Sequence, residues 1–133
     1  MAKEAPTVAV TVEDSGTGNR DISNDITNLD WAIPRGILDV TGVDKSAIER
    51  LPLLADFSIT MNGIFDDGSN LSHAVFKTVG STSIIRTISI VTSSQTLNNE
   101  AWLTDYAVSR STDGSLTWTV PGVLGDGTVP TWS

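Results

Sequence analysis

Cysteine is absent from this chain of 133 residues, and there is a single histidine, His73. Without cysteine neither a disulfide framework nor a thiolate metal site can be built, a pattern that fits a reducing compartment. With one histidine there is no histidine pair to hold a metal ion, and no Ser-His-Asp centre that does not use His73. Long apolar runs are also missing. No stretch approaches the roughly 20 residues that a membrane helix needs. The opening residues Met1 to Pro6 have no apolar segment of the signal-peptide kind, so a soluble protein made in a cytoplasm is expected. Positive charge is scarce, with 8 basic against 16 acidic residues, a formal net charge of −8 and a pI near 4.3. Stable binding to DNA or to an anionic membrane requires a basic patch that this composition does not supply. The negative excess reads first as a means of solubility and, more sharply, as the charge of a protein that DNA must pass without sticking.

What remains is a folded, uncharged-polar composition. Hydrophobic residues make up 39% and charged residues only 18%, which is too apolar for a disordered chain. The length suits one core, so a single domain spanning residues 1–133 is expected. Abundant Val, Ile and Thr, with Gly and Asp at turns, point to a mainly β domain with one or two short helices.

Along the chain, Val8, Val10 and Val12 alternate with polar neighbours and predict a strand over Thr7 to Glu13. Asp14 to Asn28 is rich in Ser, Gly, Asn and Asp, and reads as a long loop or arm able to touch a neighbouring subunit. Arg35 to Val43 predicts a second strand. Ser46-Ala47-Ile48-Glu49 has capping-box spacing, with Asp44 as an alternative cap and Pro52 as a stop, and predicts a helix of one or two turns held by Ile48 and Leu51. Asp56 to Phe65 alternates Phe57, Ile59 and Met61 with Ser58, Thr60 and Asn62, a clear strand. Leu71 to Val79 has the i, i+4 spacing of a second helix, capped by Asn70 and ended by Gly80.

Ser83 to Val91 predicts a strand in which Arg86 shares a face with Ile84, Ile88 and Ile90. Such an arginine must sit near a strand end, meet a carboxylate or enter an interface. Ala101 to Arg110 and Leu116 to Val120 flank the turn Ser111-Thr112-Asp113-Gly114 and predict a hairpin. Its apolar sides are expected to carry Trp102, Tyr106 and Val108 on one strand and Leu116, Trp118 and Val120 on the other. The tail at about 125–133 contains a turn and an apolar end.

No constellation in the sequence carries a specific chemistry. His73 near Asp66 and Asp67 has the residue types of an oriented base, but neither a nucleophile elbow nor a fixed geometry accompanies it. Asp66-Asp67-Gly68-Ser69-Asn70 lacks the alternating ligands and terminal Glu of a calcium loop, and turn chemistry accounts for it. Gly16 and Gly18 do not form a dinucleotide fingerprint. Of the four tryptophans, Trp102 and Trp118 lie in phase with apolar residues and are expected in the core. Trp31 and Trp132 flank irregular segments and read as interface anchors.

The succession of capped, alternating and amphipathic segments from Asp39 to Phe76 is followed by Leu103-Thr104-Asp105-Tyr106. Next come the hairpin Ser109-Arg110-Ser111-Thr112-Asp113-Gly114-Ser115 and Asp126-Gly127-Thr128-Val129-Pro130-Thr131-Trp132. In that order, this resembles the major tail tube proteins of long-tailed, siphovirus-type bacteriophages. The resemblance implies a two-sheet β-sandwich or barrel-like tail tube fold whose inner strands join into a hexameric β-barrel ring. It implies a structural virion protein rather than an enzyme, with no cofactor and no metal. Its partners would be further copies of itself, other phage tail proteins and, in passing, double-stranded DNA that must not adhere. Polar strand positions such as Ser58, Thr60, Asn62, Thr87, Ser89, Thr117 and Thr119 are candidates for lining the lumen. The self-assembly candidates are Asp14, Gly16, Gly18, Arg20 and Asp21 in the arm, with Trp31, Arg86 and Trp132. A second reading is a secreted or surface β-sandwich that binds carbohydrate through Trp31, Trp132 or both.

Overall fold

The computed structural model describes residues 8–16 and 18–133. Residues 1–7, with Thr7 of the predicted first strand, and Thr17 of the predicted arm lie outside the described residues. The described chain is mainly β. Its strands are β1 (Val8–Glu13), β2 (Asn19–Asp21), β3 (Ile26–Ala32), β4 (Arg35–Asp39), β5 (Arg50–Ala55), β6 (Ser58–Ile64), β7 (Arg86–Thr92), β8 (Gln95–Leu103), β9 (Ala107–Arg110), β10 (Leu116–Leu124) and β11 (Thr131–Trp132). One short helix, α1 (Ser72–Phe76), and a 3-10 turn at Ser23–Asp25 complete the fold.

Nine strands form one antiparallel sheet in the order β2-β1-β7-β8-β10-β6-β3, with β9 added to β10 and β11 to β8. β4 and β5 pair with each other as a separate two-stranded sheet. Strand alternation sends Val10 and Val12, Ile88 and Ile90, Leu97, Ala101 and Leu103, Trp118 and Val120, and Ile59 and Met61 into a single core. Each Val, Leu, Ile or Met side chain among them contributes about 1.5–3 kcal/mol by leaving water. The sheet curls enough that Val8 and Val10 of β1 line the same hollow of about 190 Å³ as Ile26, Leu29 and Trp31 of β3, although the two strands lie far apart in sheet order.

Helix α1 sits on the core side. Phe76 is fully buried, with its ring 5.0 Å from Trp118 and 5.7 Å from Tyr106. The predicted cap Asn70 makes no cap bond: it adopts φ +62° and Leu71 precedes the first turn. The buried Asp25 carboxylate instead accepts the Ser72 N–H at 3.0 Å, a contact across 47 residues of sequence. The α-helix is also shorter than the Leu71 to Val79 pattern predicts, and turns continue it to Ser81. Gly63 is required where β6 meets β10. A Cβ there would lie 2.1 Å from the Asp25 carbonyl oxygen and 2.4 Å from the Trp118 ring.

Several expectations are corrected. The predicted helix at Ser46 to Leu51 does not form. Residues 41–49 are the turn of the β4–β5 hairpin, and Ile48 and Leu51 are exposed at 60% and 53%. The cap geometry loses because Glu49 is already committed across the hairpin. Its N–H donates to Thr41 Oγ1 at 2.8 Å and its carbonyl accepts the Val40 N–H at 2.9 Å. The predicted strand Ala101 to Arg110 is two strands, β8 and β9, interrupted at Thr104 to Tyr106. Within β8 the inward phase is set by Leu97, Asn99, Ala101 and Leu103, so Trp102, expected in the core, faces outward at 40% exposure. Val108 and Leu116 are likewise exposed. The turn at Asp113-Gly114 forms as predicted, with Gly114 at φ +92° and the Asp113 carboxylate accepting the Ser115 N–H.

Candidate assembly surface

The β4–β5 hairpin continues the β3–β6 ladder past an interruption. Ala32 pairs with Ser58, Pro34 supplies no donor but accepts the Asp56 N–H at 2.8 Å, and pairing resumes at Arg35 and Ala55. Its register sets Ile37 against Pro52, Leu38 against Leu51 and Asp39 against Arg50, with an irregularity between Arg35 and Ile37. At about 3.3 Å per residue the ribbon and its turn reach roughly 25 Å. The hairpin stiffens itself. Arg35 Nε donates to the Leu53 carbonyl at 2.7 Å, and Asp39 Oδ1 accepts the Thr41 hydroxyl at 2.6 Å and the Thr41 N–H at 2.9 Å. The Thr41 hydroxyl, then its N–H, holds the Asp39 carboxyl below the ordinary carboxylate value.

Apolar exposure is concentrated on this ribbon. Ile37 is 64% exposed, Leu38 50%, Leu51 53%, Leu53 47%, Leu54 94% and Val43, at the turn, 108%. Scattered exposed leucines are ordinary, but a contiguous set of this size marks a contact surface. The signal was present in the sequence as a run of apolar residues around Leu51 to Leu54. From the sequence, Leu51 is expected to pack a short helix and Ile37 and Leu38 to lie in a strand, while Leu53 and Leu54 fall between the predicted elements.

The segment read as an arm, Asp14 to Asn28, contains β2, the 3-10 turn and the start of β3, and Ile22 within it is buried at 1%. Asp14 organises its first turn. Its carboxylate accepts the Gly16 N–H at 2.9 Å, the Gly18 N–H at 2.8 Å and Arg20 Nε at 2.9 Å. The Arg20 hydrogen bond is the main reason the Asp14 carboxyl titrates below its usual value. Asp21 is lowered in the same way by the Ser23 hydroxyl, 2.6 Å away. Trp31 and Trp132 come together with ring centroids 6.4 Å apart and planes tilted by 52°, so they do not present one flat platform of the kind a sugar ring stacks on.

Arg86 lies at the first position of β7 and is 1% exposed. It meets carbonyls and a hydroxyl rather than a carboxylate, donating to Val75 O at 2.5 Å, Thr78 Oγ1 at 3.0 Å and Glu13 O at 3.3 Å. It thereby satisfies the end of α1 from inside the subunit. Burial lowers its pKa, opposed by the charges of Asp14 and Glu13. His73 is held at 3.2 Å by the Tyr106 hydroxyl and stacks beside Phe65, with centroids 4.7 Å apart. The Asp66 carboxylate is taken by the Gly68 N–H, so the oriented-base arrangement is not assembled. Among the described residues no group of three or more His, Cys, Asp or Glu side chains is placed to hold a metal ion.

By strand alternation the sheet surface turned away from the core carries no lysine or arginine among the described residues, and it mixes polar side chains with the exposed Trp102, Val123 and Ile64. Thr119 on β10 is paired with Asn62 on β6, Thr117 with Ile64 and Pro121 with Thr60, and Thr119 Oγ1 donates to Asn62 Oδ1 at 2.7 Å. On β7 and β8, Thr87 donates to Glu100 at 2.6 Å and Ser89 to Asn98.

The fold as a whole is similar to that of chains in gene transfer agent (GTA) particles. Over 99% of this chain and 98% of the other, with a TM-score of 0.78 and 13% identity, it is similar to a chain in the tail of an empty GTA particle solved by helical refinement with C6 symmetry. A chain from the virion of a native gene transfer agent particle matches with the same TM-score of 0.78 at 11% identity, over 99% of both chains. Neither a protein-family model nor a curated protein sequence matches this chain.

Proposed function

We propose that this chain is a structural virion protein of a phage or phage-like tail, a tube subunit of which six copies close into a ring and successive rings stack around a channel for DNA. The observation that carries this reading is the end-to-end likeness to a chain of a C6-symmetric tail, with a TM-score of 0.78. Two features of this chain support it independently. The apolar β4–β5 hairpin needs a partner surface. The outward sheet face offers hydroxyls, amides and carboxylates but no cation, which suits a wall past which a phosphate backbone slides. Stacking of identical rings requires head-to-tail contacts, the kind that generate an open filament.

In this role the hairpin is the principal stacking element. The Asp14–Arg20 turn and the Trp31–Trp132 pair are secondary contact points. Negative-stain electron microscopy of the purified protein across a concentration series, with mass measurement on the same samples, tests the reading. Hollow tubes or six-fold rings are expected. A monomer that persists at all concentrations, and also when mixed with partly assembled tails, would refute it.

A further inference from the structure

A hollow opens beside β8 because the chain opposite it is too long for the strand. β10 pairs with β8 as far as Leu124 against Ala101, and β11 rejoins it at Thr131 against Asn98, so residues 125–130 face only Asn99 and Glu100. The surplus loops away from the strand and encloses about 380 Å³, within the roughly 300–1,000 Å³ typical of small-molecule sites. Asn98, Glu100 and Trp102 follow one another on the side of β8 away from the core, and Thr131, paired with Asn98, shares that side. Asn98, Glu100, Asp126, Thr131 and Ser133 line the hollow. Asn99 lines it too. It is 6% exposed, its Nδ2 donates to the Ile88 carbonyl at 3.1 Å, and its Oδ1 has no hydrogen-bond partner among the described residues.

Trp102 stands at the rim. Its ring crosses Gly125, where a Cβ would lie 2.6 Å from it, and the Gly125 N–H donates to the Glu100 carbonyl at 3.0 Å. The polar head groups are already oriented. Glu100 Oε1 accepts the Thr87 hydroxyl, Asn98 Oδ1 accepts that of Ser89, and Asp126 Oδ1 accepts the Thr128 N–H. Each keeps its second head-group atom for a ligand. We propose that this hollow binds a neutral saccharide, whose C–H face stacks on Trp102 while its hydroxyls donate to Glu100, Asp126 and Asn99 Oδ1. Charge selects the occupant. The lining holds two carboxylates and neither lysine nor arginine, which repels a phosphate or a sulfated sugar. A divalent cation is the poorer occupant, because no group of three or more His, Cys, Asp or Glu side chains is placed to hold one among the described residues. A sugar hydroxyl both donates to a carboxylate and accepts from Asn98 Nδ2, and the 40% exposed Trp102 supplies the apolar wall that a sugar ring needs. The hollow is complete within one subunit, so the proposal is independent of the tube-subunit reading.

The four tryptophans each give one indole N–H signal, which makes NMR of the isotope-labelled subunit the direct test. Glucose, galactose, mannose, N-acetylglucosamine and their disaccharides are titrated separately to about 50 mM, the range that reveals millimolar binding. At least one of them is expected to shift the Trp102 indole, the Asn98 side-chain amide and the Gly125 and Asp126 N–H signals, while the Trp31, Trp118 and Trp132 indoles stay in place. Trp102→Ala is expected to weaken that binding roughly tenfold or more. If Trp102→Ala does not fold, Asp126→Asn decides, since it keeps the oxygen that accepts the Thr128 N–H and removes only the charge; it is expected to weaken binding several-fold. No shift at Trp102 with any of the sugars would overturn the proposal, as would shifts centred on Trp31 and Trp132, or unchanged affinity in a folded Trp102→Ala. Shifts at Glu100 and Asp126 caused by calcium chloride alone, with none from the sugars, would overturn it in favour of a cation site.

Discussion

Stability and assembly should separate cleanly between the sheet core and the hairpin, and Met61→Ala against Leu54→Ala is the sharpest comparison. Met61 is fully buried, whereas Leu54 is 94% exposed. Truncating Met61 removes most of a core side chain and leaves a cavity among Leu29, Val120 and their neighbours, a loss of about 3 kcal/mol within the usual range of 2–5. For a domain of this size that corresponds to a melting temperature lower by roughly 10 °C. Leu54→Ala removes atoms that already face water, so the isolated subunit should change by less than about 0.5 kcal/mol. Its assembly should nevertheless fail or need much higher concentration, since the lost atoms belong to the surface that a neighbour covers. Differential scanning fluorimetry of the dilute subunit, followed by light scattering through a concentration series, measures both quantities on one preparation. The reasoning is refuted if Leu54→Ala lowers the melting temperature as much as Met61→Ala, because the hairpin would then fold back on its own body. It is equally refuted if Leu54→Ala assembles like the parent protein.

Gly63→Ala should cost about 1–3 kcal/mol from overpacking against the Asp25 carbonyl and the Trp118 ring, measured by urea unfolding; a neutral result would mean that β6 shifts freely. Arg86→Ala should lose about 3 kcal/mol by leaving the Val75 and Glu13 carbonyls without their donor. Arg86→Met, which fills the space without a charge to bury, should lose clearly less, and equal losses would show that the hydrogen bonds alone matter. The Asp113 carboxyl, held at about 2 mainly by the Ser111 hydroxyl and then the Ser115 N–H, should titrate near that value by NMR. Because its folded pKa is depressed, its stabilisation of the turn is present above the ordinary aspartate value and is lost as pH falls from about 4 through 2, so a titration midpoint near 4 would refute the turn geometry. Lysines at Thr60 and Thr119, on the outward cation-free face, should slow DNA release from assembled particles while leaving tubes intact, and unchanged release kinetics would count against that face as the channel wall.

Composition and period-two alternation were enough to establish a mainly β chain, the strands carrying Val10 and Val12, Ile59 and Met61, and Ile88 and Ile90, and the Asp113-Gly114 turn. These are local signals in which a side chain's neighbours in sequence already state which face it takes. The mainly β fold expected from the sequence is the fold found, and it is similar to that of chains in GTA particles. Only the tertiary structure decided the rest. Ser46 to Leu51 has the grammar of a capped helix, but a helix of one or two turns has no stability of its own, and cross-strand bonds from Glu49 to Val40 and Thr41 outweigh it. Trp102 shares a phase with Tyr106 in sequence, yet the inward phase of β8 is set upstream by Leu97 and Ala101 and breaks at Thr104. Asp25, unremarkable in sequence, becomes the cap of a helix 47 residues away. Hydrophobicity in a sequence likewise does not say whether a leucine is buried within its own subunit or kept for another. Leu51 reads as the packing residue of a short helix, yet the chain's own fold leaves it exposed together with Leu53 and Leu54.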